Sequence, residues 1–198
     1  FNSSTAILYY NRTIFKKAGL DPTKPPTTYE QIEKAAKACL KAGATKIGFT
    51  TAWPSWTLVE NAHSWHDQPF SDMDNGFKGM ATKLRINGDF GVKTWTMLAR
   101  WQKEGVYTYS GRTSKGDQPI VNGEAAIGLA STALVGTLTR TAKFDWGTGN
   151  LPRMAGYPQG NSIIGGASLW VMKGKKAEEY KGVASFLAFL ANPEQQAW

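Results

Sequence analysis

Strand-like runs alternate with helix-patterned segments along almost the whole chain, and that alternation confines it to an α/β domain with a partly parallel sheet. Thr5–Tyr10 is rich in β-formers. Asn11 is placed to cap a short helix that Gly19 stops. Thr28 with Gln31 three residues on reads as a capping box, opening a helix whose inner face is Tyr29, Ile32, Ala36 and Leu40. Lys46–Thr50 is a strand, and a helix follows Trp56 to about His66. Asp89 is expected to cap a helix carrying Val92, Trp95, Leu98 and Ala99. Ala125–Ala130 reads as a buried strand of small residues, Phe144–Leu151 as another and Ala167–Met172 as a last one. The final helix lines up Tyr180, Val183, Ala184, Leu187 and Leu190, and Pro193 begins a new turn.

At 198 residues the chain has enough length for one real core or two small ones. Apolar residues at 41% and charged residues at 19% exclude intrinsic disorder. No apolar run reaches bilayer length, so direct membrane insertion is not expected. The single cysteine, Cys39, sits in a helix pattern and reads as a small core residue. A formal charge of +8 favours an anionic partner. Nucleic acid is not that partner: the lysines are spread over polar helix faces, with no basic run interleaved with aromatics, and a solvated surface is the better account of the charge. Phe1 opens abruptly and Trp198 ends inside a helical pattern, so both ends read as cuts through a larger protein.

Catalytic and metal motifs are missing. There is no GxSxG, P-loop or GxGxxG, and Glu60, His63, His66 and Asp67 lack the spacing of a zinc helix. Asp72, Asp74, Asn75 and Gly76 lack the EF-hand register. The reading is of a binder: no enzyme, no cofactor, no metal.

Candidate ligand groups gather where strands give way to loops. Ile163–Met172 holds the adjacent glycines Gly165 and Gly166, whose bare backbone either makes a tight turn or offers N–H groups to a ligand. Trp53 and Trp56 straddle Pro54-Ser55 just after a strand; they are either core or an aromatic wall for a polyol or a cationic headgroup. Ser131 is either an ordinary N-cap or, with the free N–H groups of its helix, an anion grip. Ser3 and Ser4 carry the same ambiguity.

Phe1-Asn2-Ser3-Ser4-Thr5 leading into Leu8-Tyr9-Tyr10-Asn11, Phe15 through Pro22, Trp53-x-x-Trp56 with Leu58-x-Glu60-Asn61, Asn122-Gly123, Ala130-Ser131 and Ile163–Met172 together resemble the extracellular solute-binding proteins of ABC importers, in the branch for glycerol 3-phosphate and its diesters. The likeness runs almost end to end. It implies two α/β lobes that trap ligand in a cleft between them, and a periplasmic protein serving a membrane permease. Residues 1–198 would be one lobe, the second, with a mixed, mostly parallel sheet flanked by helices; the first lobe and the segment after Trp198 would lie outside this chain. The ligand residues it implies are Ser4, Ser131 and Gly166, with Trp53 and Trp56 as a wall; the ligand is sn-glycerol 3-phosphate or a glycerophosphodiester such as glycerophosphocholine. The alternatives are a lobe for a sugar or other polyol and, further off, a carbohydrate-active enzyme using Glu60.

Overall fold

A computed structural model describes residues 2–196. Six strands, β1 (Asn2–Asn11), β2 (Ile47–Thr51), β3 (Tyr107–Thr108), β4 (Ala125–Ser131), β5 (Trp146–Gly149) and β6 (Ile164–Ala167), form one mixed sheet. Its order is β3-β2-β4-β1-β5, with β6 also paired to β1. β2 runs parallel to β3 and β4, while β1 runs antiparallel to β4 and β5. The α/β class and the parallel pairing expected from the alternating pattern are present.

The chain divides into two compact units, Ser3–Gly165 and a smaller one holding Asn2 with Gly166 onward. In the larger unit the sheet is buried on both faces, as a parallel centre requires. Leu8 and Tyr10 of β1 face one cluster with Ile127 and Leu129 of β4, Phe49 and Trp101. Tyr9 and Ala130 face the other, with Ile120 and Leu138. Period-2 alternation along β1 thus feeds two layers at once. Each large side chain removed from water contributes ~1.5–3 kcal/mol.

Local chemistry sets the helices. Asn11 Oδ1 accepts the Ile14 N–H at 3.0 Å and starts α1 (Arg12–Lys17), as expected from sequence. Thr28 Oγ1 accepts the Gln31 N–H and opens α2 (Tyr29–Lys41), but Gln31 Oε1 takes the Thr27 N–H at 2.7 Å, so the box closes one residue early. Ser55–Glu60 is a π-helical turn that runs into α3 (Asn61–Trp65), where the sequence pattern predicts plain α-helix. The single turn α4 (Asp72–Asn75) follows, with Met73 and Asp74 at positive φ. Gly88, not Asp89, is the N-cap of α5 (Asp89–Lys103). α6 (Asp117–Val121) precedes β4, and α7 (Leu134–Thr141) follows it.

The smaller unit carries α8 (Ala177–Leu190) and the turn α9 (Pro193–Gln196). Glu179 reaches back to the Lys176 N–H at 2.9 Å, and Tyr180 Oη donates to the Met172 carbonyl at 3.2 Å. The stripe foreseen on this helix is there, yet α8 has no buried residue. The strand expected over Ala167–Met172 is instead Ile164–Ala167; Leu169–Met172 is exposed. Within its own unit Leu169 lines an open cavity of about 240 Å³ with Leu187 and Leu190 instead of a packed core. Trp198 lies outside the described residues.

Candidate functional site

Sheet direction builds the site. Thr51 of β2 lies opposite Leu129 of β4, and Ala6 of β1 opposite Ser131. Because β1 is antiparallel, its N-terminal half arrives at the same rim as the C-terminal ends of β2 and β4. That rim is where open α/β sheets hold ligands. Ser4, the loop after Thr51 and the Ser131–Ala133 turn lie along it. Backbone pairing extends past the strand ends: the Thr132 N–H donates to Thr5 O at 2.9 Å, and the Ala52 N–H to Leu129 O at 3.0 Å.

Ser131 is not the N-cap of α7; that position is Ala133, which makes no side-chain cap. Ser131 Oγ accepts the Ala133 N–H at 3.1 Å, and its carbonyl accepts the Tyr9 hydroxyl at 2.7 Å. With an oxygen lone pair occupied, the Ser131 O–H proton remains to be donated elsewhere. Ser131 therefore orders the turn after β4 without capping α7, and it keeps an O–H donor.

Trp53 has φ +50°, a left-handed conformation that costs a side-chain-bearing residue ~1–2 kcal/mol. The bend is held by the Trp53 N–H on Thr113 O at 3.0 Å and by the Trp53 carbonyl, which accepts the Trp56 and Thr57 N–H groups at 2.9 Å each. Its indole is 41% exposed, so this tryptophan is not core. Trp56 is half-buried and leans on the main core cluster. A Cβ on Gly165 would sit 3.1 Å from Trp56 Cζ2, 3.3 Å from its Cε2 and 3.5 Å from Ser4 Oγ. Ser4, Trp56 and the bare Gly165 backbone thus meet, closely enough that an added Cβ would push the Trp56 ring by a few tenths of an ångström.

Gly166 lies in the smaller unit, with φ +144°, a conformation open to glycine alone. Glu60 ends the π-helical turn and lines a cavity of about 580 Å³ together with Asp67, Phe70 and Asn161. His63 and His66, weighed as metal ligands, are buried and spend Nδ1 on the Val59 and Ala62 carbonyls. Asp72 and Asn75 spend their side-chain oxygens on loop N–H groups.

Sequence reasoning passed over Asp117. Gly116 backs directly onto the Thr51 carbonyl, which brings the start of α6 to the end of β2. There burial pushes the Asp117 carboxyl up to about 6, and Oδ1 is buried without a partner. No motif marks this residue; only the tertiary approach of Gly116 reveals it.

Residues 1–198 match the family described as bacterial extracellular solute-binding protein. The chain belongs to that family. Among its members, this solute-binding chain is 44% identical over 197 residues to the sn-glycerol-3-phosphate-binding periplasmic protein UgpB of Yersinia pestis, covering 98% of the chain and 44% of the relative. It is also 44% identical to UgpB of Escherichia coli K12, covering 100% of the chain and 45% of the relative. The chain therefore spans less than half the length of these relatives. Its fold is shared with UgpB from Mycobacterium tuberculosis in complex with glycerophosphocholine (TM-score 0.71, 18% identity, 100% of this chain and 49% of that one). It is shared equally with maltose-bound MalE3 of T. maritima (TM-score 0.73, 19% identity, 98% and 50%). Fold alone does not separate a phosphate ester from a sugar. Among the described residues no helix is long and apolar enough to cross a membrane.

Proposed function

We propose that this solute-binding chain supplies one wall of the ligand cleft in a periplasmic protein that captures sn-glycerol 3-phosphate or a glycerophosphodiester such as glycerophosphocholine and hands it to the membrane permease of an ABC importer. The observation that carries this is the 44% identity, across the whole chain, to relatives named for glycerol 3-phosphate. Residues 1–198 act as part of the second of two lobes, with Ser3–Gly165 as its compact body. The first lobe and a C-terminal segment complete the cleft.

The chemistry at the rim supports this reading. A phosphate needs donors, and Ser131 has an uncommitted O–H while Ser4 presents a hydroxyl beside bare backbone. Gly166, in the smaller unit, is a ligand residue by family resemblance only. The glycerol carbons, or the cationic end of a diester, suit the indoles of Trp53 and Trp56. The formal charge of +8 draws an anion in. No bond is made or broken: ligand shifts an open–closed equilibrium, and release follows docking. The family consists of binding proteins, and we assign no catalytic residue, cofactor or metal.

Calorimetry on the full-length protein with glycerol 3-phosphate, glycerophosphocholine and maltose tests the assignment. Binding of either phosphate compound, weakened at least tenfold by Ser131→Ala, is expected. Tight maltose binding with no response to the phosphates overturns it.

A further inference from the structure

Asn61 is fully buried at the junction of the π-helical turn and α3, and both ends of its amide are used. Its Nδ2 donates to the Trp56 carbonyl at 3.0 Å, alongside the Asn61 backbone N–H on the same oxygen. Its Oδ1 accepts the Ile163 N–H at 2.9 Å. Ile163 stands two residues before Gly165, whose backbone lies against the Trp56 ring. One side chain therefore ties the backbone beneath the indole to the strand that this indole touches.

We infer that Asn61 is the positioning residue of the ligand site: it sets the approach of Trp56 to the glycine strand, and through that contact the spacing of Ser4, indole and backbone that a ligand meets. The inference rests on the ligand reading above. The side chain required is narrowly defined. It must donate at one end and accept at the other, at the length of asparagine. Aspartate keeps the shape but exchanges the donor for an acceptor facing Trp56 O, and alanine orphans the Ile163 N–H. The π-helical turn fits the same role. Its extra residue per turn carries the Trp56 carbonyl under the Asn61 side chain, and such turns recur at functional sites. Asn61 does not touch ligand in this arrangement; it acts through Trp56 and Gly165.

The test uses the full-length protein with Asn61→Asp, Asn61→Ala and, from the opposite side of the contact, Gly165→Ala. Thr94→Val, a buried polar change on α5, controls for loss of stability alone. Two readouts are taken: affinity for glycerol 3-phosphate and glycerophosphocholine by calorimetry, and the Trp56 emission, isolated by subtracting a Trp56→Phe background. Expected are a tenfold or greater loss of affinity and a shifted Trp56 emission in both Asn61 variants and in Gly165→Ala, with neither in Thr94→Val. A folded Asn61→Asp protein with unchanged affinity and unchanged emission overturns the inference. If wild type binds neither phosphate compound, the ligand reading fails, while the emission shift still decides whether Asn61 positions the indole. If Asn61→Asp does not fold, Gly165→Ala decides: unchanged emission there overturns the claim.

Discussion

His66 Nε2 accepts the Met154 N–H at 2.7 Å while Nδ1 lies 2.7 Å from the Ala62 carbonyl. That pairing allows one protonation state. Nδ1 carries the proton and Nε2 must stay bare, because a second ring proton would face an N–H. Burial lowers the His66 pKa below 6.5, and His63 shifts the same way for the same reason. A folded pKa below the unfolded one means that the unfolded chain takes up protons first. Stability is then lost as pH falls through 6.5. Melting curves from pH 8 to pH 5 are expected to show that decline, and His66→Gln, which keeps an acceptor but binds no proton, is expected to reduce it to the share that His63 carries. At pH 8 the same variant loses about 1–3 kcal/mol through packing against Tyr29, Phe90 and Tyr157.

Asp117 works in the opposite direction. Desolvation raises its carboxyl from 3.8 to about 6, so the folded state holds the proton more tightly than the unfolded one. Between those values stability rises on acidification, and above about 6 the charged form is a standing cost. Asp117→Asn is expected to raise stability at pH 7.5 by roughly 1 kcal/mol after allowance for solvent screening. The gain should vanish near pH 4. Urea denaturation at both pH values checks the sign.

Trp53 separates stability from binding. Its left-handed backbone means that Trp53→Gly removes strain of ~1–2 kcal/mol, offset by the entropy that glycine brings to the unfolded chain. The melting temperature is therefore expected to change little. Ligand affinity in the full-length protein is expected to fall at least tenfold as the exposed indole is lost. A large drop in melting temperature would show that the ring, at 41% exposure, still holds the fold together.

Signals that act within a few residues were legible from sequence. The Asn11 cap, the Thr28 start, the helical stripe of α2 and the turn at Pro193 all follow from local hydrogen bonds and periodicity. The alternating strands and helices conveyed the architecture, since burial on two sheet faces leaves that pattern in the chain. Ser4, Trp53, Trp56 and Ser131 were picked out at the ends of strand patterns; Ser4 and Ser131 lie within the terminal stretches of β1 and β4, the tryptophans follow β2, and the sheet direction sets these strand ends along one rim.

What escaped depends on distant partners. Leu169–Met172 reads as a buried strand by composition, yet composition does not say what covers it. The π-helical turn differs from an α-turn by one residue, which periodicity over so short a segment does not resolve. Gly165 and Gly166 are indistinguishable as letters; only the Trp56 ring separates their roles. Asn61 resembles any polar helix residue until its bond to Ile163, a hundred positions away, is seen.

The wet aromatic face of α8 favours self-association of this polypeptide. Phe186 and Phe189 are more than half exposed, and Trp170 nearby in sequence is 85% exposed. Greasy strips of that kind, in contact with solvent, make molecules self-associate as protein concentration climbs. Cloudy samples and concentration-dependent sedimentation would then trace to greasy strips in both units, since Phe77 and Met80 of the larger one stand as open to solvent as Trp170.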